Sequence, residues 1–258
     1  MPGYPQDLLS NRSIVKRDSF AIITPQGRVI NTIPGIVGAK MTILCTPKMG
    51  AGFVQLIGTL GPDAHTDYPY STAAHEESFL YVLDGDIELD VTVGEETRRL
   101  TQGGYAYAPA GVGIGFKNAN GQEGRILLYK QAYIEHPKGL KPWTVFGNIN
   151  EVPFRDYDEM ANVHVKDFLP LDEAFDMNMH ILSFDPGASH NICETHVQEH
   201  GAYIYEGEGT YLLDDNWYLT KKEDFLWMGA FSVQAAYGIG RGPFSYIYSK
   251  DCNRDVEI

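Results

Sequence analysis

Short apolar runs broken by Gly, Pro and Asp turns set the rhythm of this chain. Met177 to Phe184 is a run of Met, His, Ile, Leu and Phe that stops at Asp185-Pro186-Gly187, and Ala202-Tyr203-Ile204-Tyr205 runs into Glu206-Gly207-Glu208-Gly209. Neither has a 3.6-residue apolar period long enough for a helix, so both read as strands. The pattern also recurs. Phe79 to Leu83, the turn Asp84-Gly85-Asp86 and Ile87 to Leu89 match Ala202 to Tyr205, the turn Glu206 to Gly209 and Thr210 to Leu212. Leu100 to Pro109 then pairs with Leu219 to Met228, and Ile126 to Lys130 with Tyr246 to Lys250, each half closing on a strand that ends in Lys. Three matched blocks in the same order imply two tandem copies of one β-domain. The boundary falls near Pro137 to Val152, a stretch rich in Pro and Gly with little periodicity. The expected division is an extension over residues 1–40 that packs on the domains, a first domain over 41–140 and a second over 141–258.

Composition supports this reading. With 27 Gly, 14 Pro, 16 Tyr and 43% hydrophobic residues in 258, the chain suits many short strands joined by tight turns. A net charge of −14 opposes binding to a phosphate backbone or an anionic membrane, so neither nucleic acid nor membrane is an expected partner. Cys45, Cys193 and Cys252 are scattered and odd in number, which implies no disulfide framework and a reducing, cytoplasmic setting. The start lacks the basic and apolar blocks of a secretory signal, and no window approaches eighteen uninterrupted apolar residues.

The candidate chemistry lies in Cys193-Glu194-Thr195-His196-Val197-Gln198-Glu199-His200-Gly201. On a strand, Glu194 and His196 share a face; on a helix, His196 and His200 do. The spacing permits both, and the flanks favour strands. Carboxylate and neutral imidazole are ligands for a borderline or hard divalent cation. The competing reading is a polar strand end whose side chains bond to backbone or water. Cys193 reads as a small buried hydrophobe rather than a nucleophile, Glu199 as an exposed carboxylate or one that orients an imidazole, and His180 and His190 as structural.

Short Gly- and Pro-bounded strands, a ligand cluster before a Gly turn and one more candidate about 30 residues on resemble the cupin pattern, His-x-His-x-x-x-Glu leading to a Gly and then a later His. Here those positions hold Glu194, His196 and His200, then Gly207, then Gln234. Carboxylate and imidazole exchange places, and an amide replaces the last imidazole. In the first copy, aligning Gly85 with Gly207 puts Thr72, Ala74 and Ser78 at the ligand positions and Ile114 or Gly115 near that of Gln234. None of these grips a metal, although His75, Glu76 and Glu77 lie close by. The first copy is therefore expected to carry no metal and to serve folding, substrate enclosure or assembly.

Glu-Thr-His-Val-Gln-Glu-His-Gly-Ala-Tyr, Met177 to Phe184, the tail Phe244 to Arg254 and Leu8-Leu9-Ser10-Asn11-Arg12 together resemble the (S)-ureidoglycine aminohydrolase family over nearly the whole chain. The resemblance implies an all-β bicupin, two tandem jelly-roll β-barrels, that converts (S)-ureidoglycine and water to (S)-ureidoglycolate and ammonia in purine (allantoin) catabolism. It implies Mn²⁺ held by Glu194, His196, His200 and Gln234, a small-molecule substrate lined by Tyr211, Tyr246 and Lys250, and a homo-oligomer. Glu194 joins those three as a catalytic group. Two other classes compete: another metal-dependent cupin enzyme, a dioxygenase or isomerase, or a non-catalytic ligand-binding cupin. From the residues alone, Tyr211 and Tyr246 also read as strand aromatics, Gln234 as a satisfied core amide, and Lys250 beside Asp251 as a solvated pair at a strand end.

Overall fold

A computed structural model describes residues 11–157 and 160–256; the opening stretch 1–10, with Leu8-Leu9-Ser10, lies outside the described residues. The described chain is built almost wholly from short antiparallel strands, gathered into sheets of ten, eight and three strands. The inferred repeat is visible in the ladders. In the first half, strand Gly124–Ala132 runs between Phe53–Thr66 and Glu76–Gly85. In the second, Phe244–Asp251 runs between Met177–Phe184 and His200–Glu206. Both ladders slip register beside the acidic Gly turn, between Arg125 and Ile126 and between Ile204 and Glu206. The glycines there, Gly85 and Gly207, have φ of +95° and +73°. A Cβ at either would strike a backbone carbonyl across the turn, that of Glu123 or that of Pro243, so the shared bulge requires Gly in both copies.

Each sheet borrows a strand from chain beyond its own repeat. Phe20–Ile23, which precedes the first copy, pairs with Phe225–Met228 in the second. Val145–Asn148, which follows the first copy, pairs with Gly104–Ala108 inside it. Phe225–Met228 and Gly104–Ala108 are matched strands of the repeat, so both halves have the same sheet edge covered in the same way. Capping an open edge removes a row of unpaired N–H and C=O groups.

Three hydrophobic clusters fill the molecule. One lies within the first half and includes Leu80, Val91, Ile114, Ile126 and Leu128. One lies within the second and includes Leu182, Tyr211, Phe244, Tyr246 and Tyr248. The third joins the halves and is aromatic: Phe79 and Tyr105 of the first sheet meet Phe168 at 5.5 and 5.0 Å, and Tyr107 meets Phe175 at 5.3 Å. Fully burying a side chain of this size contributes on the order of 1.5–3 kcal/mol, so these aromatic contacts help hold the halves together. Arg125 of the first half reinforces it with Glu223 of the second, at 2.7 Å through two nitrogens.

The two interiors differ in chemistry. Tyr246 and Tyr248 stand where the first copy has Ile126 and Leu128, and Gln234 opens its strand as Ile114 opens the matching one. Aliphatic side chains close the first interior. Polar ones hold the second open around a cavity.

Candidate active site

Three pieces of the second half converge on that cavity. Glu194 forms an isolated antiparallel bridge with Gln234, each backbone N–H donating to the other's carbonyl at 2.9 Å. The chain then turns away, anchored where the Phe231 N–H donates to the His196 carbonyl at 2.7 Å. His200 opens strand His200–Glu206. The strand geometry expected for this stretch therefore holds only at its two ends, with a bend between, and the helical alternative is absent. The third piece is Phe244–Asp251, whose pleat sends Tyr246, Tyr248 and Lys250 to the cavity. Asp251, on the other side, lines a separate cleft with Gln131 and Asp176. Lys250 and Asp251 are thus split between two cavities, and the expected solvated pair is not formed. Among the described residues the Lys250 ammonium is paired with no carboxylate.

The polar atoms face one another. His196 Nε2 lies 3.3 Å from His200 Nε2, 3.0 Å from Gln234 Nε2 and 4.0 Å from Glu194 Oε1. The far nitrogens of both rings are occupied: His200 Nδ1 donates to the Ser249 carbonyl at 2.8 Å and His196 Nδ1 to the Gln198 carbonyl at 2.9 Å. Those bonds put the proton of each neutral ring on Nδ1 and leave both Nε2 lone pairs turned inward. Burial above all, with the His196 ring beside it, lowers the His200 pKa to about 3, so that ring is neutral at physiological pH. Burial also raises the hydroxyls of Tyr211, Tyr246 and Tyr248, which therefore stay protonated. The Tyr211 hydroxyl lies 3.4 Å from Gln234 Oε1.

Two inward lone pairs at 3.3 Å repel unless a positive charge lies between them. A divalent ion meets both at once. Around an octahedral ion with bonds of about 2.1 Å, neighbouring ligands sit about 3 Å apart and opposite ones about 4.2 Å, and the observed separations fall in that range. The amide of Gln234 turns its nitrogen to His196 and its oxygen to Tyr211; half a turn presents the oxygen to the shared point and lets the nitrogen donate to the Tyr211 hydroxyl. The donor set thus fits a hard or borderline cation. It does so only with the amide included: among the described residues no three His, Cys, Asp or Glu side chains form a metal cage by themselves.

Other expectations need correction. Cys193 is exposed rather than buried; it lines an outer groove, while its neighbour Glu194 lines the cavity. Glu199 touches neither imidazole. Its Oε2 accepts the Gly52 N–H and the Trp227 indole N–H, both at 3.0 Å, and so ties the ligand loop to the first half. In the first copy, Glu76 pairs with Lys130 at 2.9 Å, while Glu77 turns into the seam and accepts the Tyr107 hydroxyl at 2.5 Å. His180, read as structural, bonds Asp167 at 2.8 Å beneath Tyr248. The cavity also includes Tyr157 and Tyr248, which the sequence reading did not single out, and His190, which it read as structural. Tyr248 carried a usable signal, lying in step between Tyr246 and Lys250; His190 and Tyr157 carried none, being brought in from loops.

Tandem antiparallel barrels with a ligand-like polar cluster inside the second define a bicupin. Comparison with solved structures agrees: the chain superimposes on Bacillus subtilis oxalate decarboxylase with a TM-score of 0.67 at 10% identity, over 95% of this chain and 80% of that one. At that identity the likeness shows the fold alone. Protein Ylba from Escherichia coli superimposes with a TM-score of 0.85 at 49% identity, over 99% of this chain and 100% of that one. No family model matches. Among curated proteins, the (S)-ureidoglycine aminohydrolase of Escherichia coli strain K12 is 51% identical over 257 residues, 99% of this chain and 97% of that protein. The enzyme of the same name from Arabidopsis thaliana is 28% identical over 98% of this chain and 83% of its own length. The chain belongs to the (S)-ureidoglycine aminohydrolase family, a family of hydrolases. No helix among the described residues is long and apolar enough to cross a membrane.

Proposed function

We propose that this protein converts (S)-ureidoglycine and water to (S)-ureidoglycolate and ammonia, using Mn²⁺ held by Glu194, His196, His200 and Gln234. The observation that carries the reading is the pair of inward imidazole lone pairs 3.3 Å apart, in one cavity with the amide of Gln234 and with Lys250, which no described carboxylate pairs. Two imidazoles, one amide oxygen and one carboxylate would leave a divalent ion a net charge of about +1, and such an ion would supply positive charge to anchor an amino-acid-like group. Manganese also occurs in this fold, as Mn(II) centres are described for the oxalate decarboxylase.

The residues of the chain divide the remaining work. Lys250, paired with no carboxylate among the described residues, lines a mostly buried cavity and binds the substrate carboxylate. Tyr211 and Tyr246, kept protonated by burial, orient the ureido group or the departing amine through their hydroxyls. The leaving nitrogen needs a proton, and Lys250, Tyr211 and Tyr246 are the groups assigned to deliver it. The backbone acceptors of His200 and His196 orient their rings so that each Nε2 faces the proposed ion. The first half has no matching polar interior and supports the site from outside through Glu199. The net negative charge suits none of the polyanionic partners, and the site takes a small molecule.

The decisive experiment is elemental analysis of the untreated protein together with ammonia release from freshly generated (S)-ureidoglycine. About one Mn²⁺ per chain with stereospecific ammonia release supports the reading. Bound iron with oxygen uptake would instead favour a cupin dioxygenase.

A further inference from the structure

His190 stands in the same cavity as Glu194, Gln234 and Lys250 but outside the expected ligand set. Its side chain is 4% exposed, and its ring packs on Phe184 at 5.2 Å. The Ala236 N–H donates to its Nδ1 at 3.2 Å. A backbone N–H can only donate, so Nδ1 must carry a lone pair and the ring proton must sit on Nε2. Glu194 Oε1, at 3.9 Å from Nδ1, is beyond hydrogen-bond reach. No described residue accepts from Nε2. The ring lines the ligand cavity and also borders an outer groove beside Trp217 and Tyr237, and an N–H donor with no protein acceptor is left to water or a ligand.

We infer that His190 is a substrate-contacting residue whose Nε2–H donates to the uncharged carbonyl oxygen of the ureido group. The inference rests on the proposed function and deepens it. The chemistry of the cavity sorts the two ends of the ligand: the carboxylate belongs to the cation, Lys250, while a neutral carbonyl is matched by a neutral donor. His190 thereby distinguishes a ureido compound from a plain amino acid, which has nothing to offer the ring. A site built to hydrogen-bond a polar group discriminates against analogues that lack it, because its own donor is left stranded.

Two substitutions separate this role from a structural one. In H190N the amide oxygen replaces Nδ1 and keeps the bond to the Ala236 N–H, but the Nε2–H is lost. In H190Q the amide nitrogen reaches towards the Nε2 position and restores the donor, while the Ala236 N–H goes unpaired. For ammonia release we expect H190N to raise KM about tenfold with kcat little changed, the signature of a bond made equally in ground and transition states. H190Q should recover most of that KM despite a lower unfolding temperature. Binding of N-carbamoylglycine, the unreactive analogue without the amine, should weaken about tenfold in H190N, and glycine binding should not change. Metal content should match the parent in both. A KM and N-carbamoylglycine affinity unchanged in H190N, or metal lost from H190N, overturns the assignment. Should the parent release no ammonia from (S)-ureidoglycine, the function itself falls; should the parent be active and H190N behave like it, only the role of His190 does.

Discussion

Glu199 offers a test of how the first half supports a site it does not line. Its Oε2 accepts two N–H groups at 3.0 Å, one from Gly52 of the first half and one from the fully buried Trp227. Replacing it with Ala strands the indole N–H inside the protein, which costs about 1–3 kcal/mol, and removes a second bond to a charged acceptor. Partial exposure of the carboxylate screens the second term, so a total of about 2–4 kcal/mol is expected, or roughly 5–12 °C in Tm for a chain of this size. Glu199→Gln keeps an oxygen acceptor and should lose less than about 1 kcal/mol. The effect reaches the site because Glu199 lies between His196 and His200. Without the tether, the loop carrying three of the four proposed ligands relies on its backbone bonds to Gln234 and Phe231, the Thr195 hydroxyl bond to the Phe231 carbonyl and the His200 strand. The assay is denaturant unfolding of the two variants paired with metal content after dialysis. An E199A protein with parental stability and metal would show that the carboxylate is a surface group and that the first half acts by packing alone.

Three further outcomes follow from the same geometry. His196→Ala removes one of the two facing lone pairs and should abolish both bound metal and ammonia release; activity retained in a metal-free variant would refute the site. Lys250→Ala should keep the metal and the fold but lose turnover, by about 10- to 150-fold in kcat/KM if a charge-assisted bond to the carboxylate disappears, and parental kinetics would return Lys250 to the solvent. Burial first and Asp176 next push the Glu77 pKa well above the usual carboxylate range. A group raised in the folded state contributes stability at low pH that is lost as pH climbs through the raised pKa. Glu77→Gln should therefore unfold at a higher temperature than the parent at alkaline pH, with the gap narrowing towards pH 5, and an equal pH dependence of Tm in both would exclude a titrating Glu77.

The repeat, the all-β class and the family were legible in the chain, because strand periodicity, bulge-forming glycines and ligand spacing are local properties. Gly85 and Gly207 mark the same turn in both copies for a reason visible in a single residue: only Gly fits under the carbonyl opposite. The difference between the halves was also written locally, as Ile114 against Gln234 and Ile126 against Tyr246. What the tertiary structure alone decided depends on groups distant in sequence. Which sheet edge Phe20–Ile23 and Val145–Asn148 would cover depends on edges exposed elsewhere, and backbone pairing carries no sequence signature of its partner. Glu199, Glu77 and Lys250 could be recognised only as polar residues near a motif. Their surroundings, a tryptophan and a glycine for Glu199, a buried carboxyl for Glu77 and the tyrosine-lined cavity for Lys250, are set by packing across the seam and the barrel. The direction of each ring proton on His190, His196 and His200, on which the proposed chemistry rests, is fixed by backbone carbonyls and N–H groups that no side-chain pattern reveals.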